Sequence, residues 1–179
     1  SINDPGIPGH ERFNGQMSKY ETTNAQYCQY LNSAKSEGLI IIQTDGYVYN
    51  ITDTSYSHPY FATYSASTDS QITYTGGTFS VRFRDGYDMS NHPVTMVSWY
   101  GATAFCNYYG YRLPTEWEWQ AVADYDGSYT YGCGAIISSS KANYNQNNPL
   151  GLSYPPYTTP VGYYPAYGYG LCDMAGNVT

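Results

Sequence analysis

The chain has 179 residues and a net charge of −7, and 12% of its residues are charged, against roughly 25% in ordinary soluble domains. The acidic balance excludes a nucleic-acid footprint, no run of about 18 apolar residues exists to span a membrane, and the length suits one domain with a real core. Tyrosine, with 24 copies, fills part of the missing charge; its apolar body and polar tip suit half-exposed surfaces, and such a low-charge surface points to an extracellular or cell-surface protein.

Residues 1–16 are rich in Gly, Pro and Asn and read as an irregular N-terminal segment. Met17–Glu21 reads as a short strand. Thr22 or Thr23 then N-caps a helix over Asn24–Ser36, stopped by Gly38. Ala25, Cys28, Leu31 and Ala34 recur at the helical period and form its apolar face. Leu39–Gln43 and Tyr47–Asn50 make a hairpin about Thr44-Asp45-Gly46. Gln71–Thr75 and Thr78–Arg82 make another about Gly76-Gly77. Residues 51–70, between them, carry few signals.

His92–Val97 reads as extended and leads into a helix over Trp99–Tyr109, capped by Ser98 and stopped by Gly110. Thr115 and Glu118 fit a capping box, in which each side chain satisfies a backbone N–H at the start of a third helix. That helix runs to about Ala123. Residues 124–179 are dominated by Pro, Gly, Tyr and Asn, with Leu171 and Met174 marking an ordered, loop-built region. The fold class is therefore α+β, with short helices, short hairpins and long connections. Such connections need metal ions, disulfides or dense aromatic packing to hold them.

The four cysteines form no C-x-x-C pair, which argues against a zinc knuckle. Cys28 and Cys106 read as buried thiols on helix faces, and Cys133 and Cys172, in Gly/Tyr-rich loops, are the candidate disulfide. Trp99, Trp117 and Trp119 read as core or half-core residues. Asn50-Ile51-Thr52 and Asn177-Val178-Thr179 are candidate glycosylation sequons. No G-x-S-x-G, H-E-x-x-H or P-loop pattern is present.

Four motifs carry a family resemblance. Lys19-Tyr20-Glu21-Thr22-Thr23-Asn24-Ala25-Gln26-Tyr27 resembles the "E-V-T-N-x-x-Y/F" start of formylglycine-generating-enzyme domains, also called sulfatase-modifying-factor domains. The stretch His92-Pro93-Val94 through Val97-Ser98-Trp99 to Cys106 resembles their "P-V-x-x-V-S-W-x-x-A-x-A-Y-C" helix. Arg112-Leu113-Pro114-Thr115-Glu116-Trp117-Glu118-Trp119 resembles "R-L-P-T-E-A-E-W-E". Pro160 to Val178 resembles "P-V-G-x-x-x-x-N-x-x-G-L-Y-D-M-x-G-N-V-W-E-W", with Tyr167 at the usual Asn and Cys172 at the usual Tyr.

The resemblance covers residues 19–178 and implies a loop-rich fold related to C-type lectins, often with structural Ca²⁺. It implies one ion held by the Asp173 side chain and the Gly176 and Val178 carbonyls, and a second site beginning at Asn143 and Tyr144. The carboxylate partner of the second site falls near 153–155, where this chain has Ser-Tyr-Pro. Arg112, Glu116 and Glu118 read as structural, and His10, His58 and His92 are too scattered for a His-rich iron site.

Formylglycine-generating members oxidise a substrate cysteine with a copper-binding cysteine pair located after "G-N-V-W-E-W". None of the four cysteines here falls at those positions, so no copper site is expected. The reading that follows is a non-catalytic extracellular module for binding or assembly, through self-association or a glycan or protein ligand, as in a fibre or surface layer. The alternative is a fragment of a formylglycine-generating-type oxidoreductase.

Overall fold

The computed structural model describes residues 1–9 and 12–178; His10, Glu11 and Thr179, the last residue of the second sequon, lie outside the described residues. The sequence reading takes 17–179 as a single domain, and the chain groups into two compact units. The first comprises Ser1–Glu21 with Pro114–Thr179, the second Thr22–Leu113.

Residues 1–16 are more ordered than expected. Ile2–Asn3 (β1) pairs antiparallel with Asn14–Gly15 (β2). Buried Asp4 holds the turn between them, accepting from the backbone N–H of Gly6 at 2.9 Å and of Phe13 at 3.2 Å. The strand expected over Met17–Glu21 does not form. That stretch runs beside a loop, with one backbone bond, from Cys172 N–H to the Lys19 carbonyl at 2.9 Å.

The second unit opens with helix α1, Asn24–Ser36. Its N-cap is Thr23, and Gln26 completes a capping box, worth on the order of 1 kcal/mol. The buried face is wider than the expected stripe. Tyr27, Cys28, Tyr30, Leu31 and Ala34 are buried, but Ala25 is exposed. Large rings extend the apolar stripe sideways, and a small Ala at the first turn has nothing to pack against.

Strands Ile40–Ile42 (β3) and Tyr47–Asn50 (β4) form the expected hairpin, with Ile42 opposite Val48. Phe61–Ala62 (β5) adds a third strand to β4 from the stretch that carried few signals. Ile72–Thr75 (β6) and Thr78–Val81 (β7) pair across Gly76-Gly77. A further short hairpin, Phe83–Arg84 (β8) and Tyr87–Asp88 (β9), precedes a 3₁₀ turn at Met89–Asn91.

Helix α2, Trp99–Tyr108, starts at the expected cap, with the Ser98 hydroxyl accepting from Gly101 N–H at 3.1 Å. A Cβ at Gly101 would lie 2.0 Å from the Tyr60 carbonyl oxygen, so this helix is seated by the absence of a side chain. The core of the unit joins Tyr27, Tyr30, Leu31, Val48, Phe61, Ile72 and Phe79, with Phe105 and Tyr108 of α2 packed against it. Burying one such side chain contributes about 1.5–3 kcal/mol.

The chain then returns to the first unit. Helix α3, Glu116–Ala123, begins with the Thr115/Glu118 capping box read from the sequence, so Glu118 is a capping residue. Ala121, Val122, Leu171, Ile2 and Phe13 form a smaller core, with Met174 packed at its edge. Beyond α3 the described residues form turns and two isolated bridges, Tyr131 with Gly134 and Tyr167 with Leu171. The fold class is α+β, as expected. No helix among the described residues is long and apolar enough to cross a membrane.

A candidate cation cradle

The loop 173–177 winds through the left-handed region three times, at Asp173, Gly176 and Asn177, with φ of 58°, 81° and 68°. Asp and Asn tolerate that region better than most residues with a Cβ. At Gly176 no alternative fits, because a Cβ there would stand 2.1 Å from the Asn143 carbonyl oxygen.

Asn177 is the hub. Its Nδ2 donates to Glu21 Oε2 at 2.7 Å and to the Thr159 carbonyl at 3.2 Å. Its Oδ1 accepts from Thr159 N–H at 2.8 Å, Thr159 Oγ1 at 3.1 Å and Asn143 Nδ2 at 3.4 Å. Its own N–H donates to the Asn143 carbonyl at 2.7 Å. Asn143 in turn donates to the Tyr157 carbonyl at 2.6 Å. The two residue sets expected as separate ion sites therefore meet at one asparagine. Asn143 spends its amide nitrogen and its carbonyl on holding loops together, and Tyr144, half-exposed, packs beside Gly176.

Two carboxylates face this hub. Asp173 Oδ2 accepts from Gly162 N–H at 2.8 Å. Burial pushes the Asp173 carboxyl above its ordinary range, and the Gly162 bond only partly opposes this. Glu21 is pushed from 4.5 up to about 8. Burial is the main cause; the Asn177 bond opposes it, the charge of Asp173 adds to it, and Val178 N–H opposes it. An acid pair raised in this way needs either protons or an external positive charge.

The donors available are hard oxygens. Among the described residues, no backbone N–H is bonded to the carbonyl of Gly176 or Val178. Among the described residues, no group of three or more His, Cys, Asp or Glu side chains is assembled. Two carboxylates with neighbouring carbonyls match a hard divalent cation better than a soft one. Sequence reasoning missed Glu21 as a member of this set. It lies 156 residues from Asn177, and its only signal in the sequence was its place as the Glu of the "E-V-T-N" motif.

The remaining candidates fall elsewhere. Cys133 and Cys172 are buried free thiols and do not form a bridge in this structure. Burial also raises Cys28 and Cys106 above the usual thiol range, the reverse of an activated thiolate. Asn50 Nδ2 donates to the Tyr60 hydroxyl at 2.8 Å, and its Oδ1 accepts from Thr52. The tryptophans correct the expectation of core or half-core residues: Trp99, Trp117 and Trp119 are 68%, 53% and 45% exposed.

A family model described as a sulfatase-modifying factor enzyme 1-like domain matches residues 11–179. The chain is 34% identical to a Chlamydia caviae protein named serine/threonine-protein kinase pkn1, over 96% of this chain and 23% of that one. It is 35% identical to the formylglycine-generating enzyme of Mycobacterium tuberculosis, over 54% of this chain and 35% of that enzyme. The corresponding mouse enzyme is 34% identical over 50% of this chain and 26% of its own length. The chain thus spans about a third or less of these relatives.

Proposed function

The chain belongs to the sulfatase-modifying factor enzyme 1-like domain family, and from that premise we propose that it is a non-catalytic binding or assembly module working outside the cell. The observation that carries this reading is the exposure of Trp99 in the second unit and of Trp117 and Trp119 in the first, in a chain with few charges. Exposed indole faces suit protein or glycan contacts and self-association. Three thiols are buried and Cys106 is half-buried, and each is raised above its usual range, which supports a domain whose own cysteines do no chemistry.

In this reading the cradle is structural. Asp173, Glu21 and the carbonyls of Gly176 and Val178 would hold Ca²⁺, which supplies the positive charge the two acids lack. The chain's own part is to fix those oxygens: Asn177 and Gly162 orient the carboxylates, and Asn143 anchors the loop through its carbonyl.

Light scattering over a concentration series tests assembly. Growth of mass with concentration, reduced in Trp99→Ser, supports it; a monomer at every concentration overturns it. A glycan array and a pull-down then separate carbohydrate from protein ligands. For calcium, the melting temperature should fall in EDTA and recover with CaCl₂, and Asp173→Asn should abolish the recovery.

The names of the mycobacterial and mouse relatives favour a second reading, part of a cysteine-oxidising enzyme. Aldehyde formed from the cysteine of a sulfatase peptide, by the native protein with copper and oxygen, would establish that reading and displace the first.

A further inference from the structure

The core of the second unit contains a continuous run of aromatic rings. Tyr27 lies 5.3 Å from Tyr30 between centroids, and Tyr30 lies 5.4 Å from Tyr108. Tyr108 lies 5.0 Å from Tyr109, and Tyr109 lies 6.3 Å from Tyr111. Phe105 joins the run from the side, 5.6 Å from Tyr27 and 5.1 Å from Tyr109. The run goes from a fully buried ring to one that is 66% exposed.

Its phenols differ in one chemical respect. The Tyr27 hydroxyl is buried with no hydrogen-bond partner. Tyr108 donates its hydroxyl to Glu37 Oε1 at 2.5 Å. A phenol that loses an electron becomes a strong acid and must lose its proton at once. A carboxylate within hydrogen-bond reach takes that proton without diffusion, and the geometry is that of a general base on its acid.

We propose that Tyr108 is the residue at which one-electron oxidation of this ring cluster comes to rest, with Glu37 as its proton acceptor. An external one-electron oxidant, a high-valent metal complex or a peroxyl radical, takes one electron from a ring of the run. The electron deficit passes between neighbouring rings until it reaches Tyr108. There the phenol O–H breaks, the proton moves to Glu37 Oε1, and a neutral phenoxyl remains. The balance is one electron gained by the oxidant, one electron and one proton lost by Tyr108, and one proton gained by Glu37. The site is thus a modification site for radical-coupling and nitrating chemistry. Exposure alone would choose Tyr111 instead, and this difference makes the assignment testable.

The test oxidises the full chain with photogenerated tris(bipyridyl)ruthenium(III) in the presence of a nitroso spin trap, and maps the adducts by peptide mass spectrometry. In the unaltered protein the main adduct is expected on Tyr108. In Glu37→Gln its share relative to Tyr111 should fall about tenfold, the ratio matching loss of one charge-assisted hydrogen bond. In Tyr108→Phe, which keeps the ring and its packing, the adducts should move to Tyr109 and Tyr111. Circular dichroism of both variants should match the parent. Adducts that follow exposure in the unaltered protein, or a distribution that Glu37→Gln leaves unchanged, would overturn the assignment.

Discussion

The two units solve the same problem by different means. In the second unit, helices and hairpins satisfy their own backbone groups, and rings such as Tyr27 and Phe61 fill the space between them. In the first unit the chain beyond α3 has turns and isolated bridges, and side chains supply the missing ladder. Asn177 joins four chain segments, and Asn148 clamps Leu152 through both its N–H and its carbonyl, each at 2.8 Å. The contrast teaches that amide side chains can take the place of secondary structure where loops are long.

The contrast is open to direct test. The largest effect is expected from Phe61→Ala, which should cost about 3–5 kcal/mol as a cavity in the second core. Denaturant melts read the cost, and hydrogen exchange should rise through Thr22–Leu113. Equal loss of protection in α3 would mean that the two units unfold together.

Asn177→Ala should follow, at about 2–3 kcal/mol for the partners left behind. Its exchange signature should centre on Thr159 and Asn177 and leave α1 protected. A third measurement concerns pH in the metal-free protein. Glu21 holds its proton more tightly folded than unfolded, so stability is fully present below 4.5 and declines as pH rises toward about 8. Glu21→Gln should flatten that decline in a series of melting temperatures; an unchanged slope would remove Glu21 from the account. The smallest effects are those on which the units should agree. Thr23→Ala and Thr115→Ala each remove a capping hydroxyl and should each cost about 1 kcal/mol.

Legibility in the sequence divided along the same line. α1, α2 and α3, with their caps, were readable because capping and periodicity are local. The hairpins at 40–50 and 72–81 were readable for the same reason. β5 was not, because its partner β4 defines it and its own residues carry no alternation. In the cradle, Asp173, Gly176, Val178 and Asn143 were named through the family motif, but their convergence on Asn177 was not foreseen. Glu21 stood in a family motif, but its role in the cradle was hidden for a physical reason, since that role arises only when residues 156 positions apart meet. The tryptophans misled because side-chain volume predicts burial only on average.

The placing of those three indoles also decides how the molecule will look in a spectrometer. Trp99, Trp117 and Trp119 are already in contact with water. Their fluorescence should therefore emit near the wavelength of free indole before any denaturant is added, and should shift little as the chain unfolds. The packed rings of the second unit are tyrosines and phenylalanines. The near-ultraviolet dichroism of tyrosine, and not tryptophan emission, is the optical signal that will report whether this protein is folded.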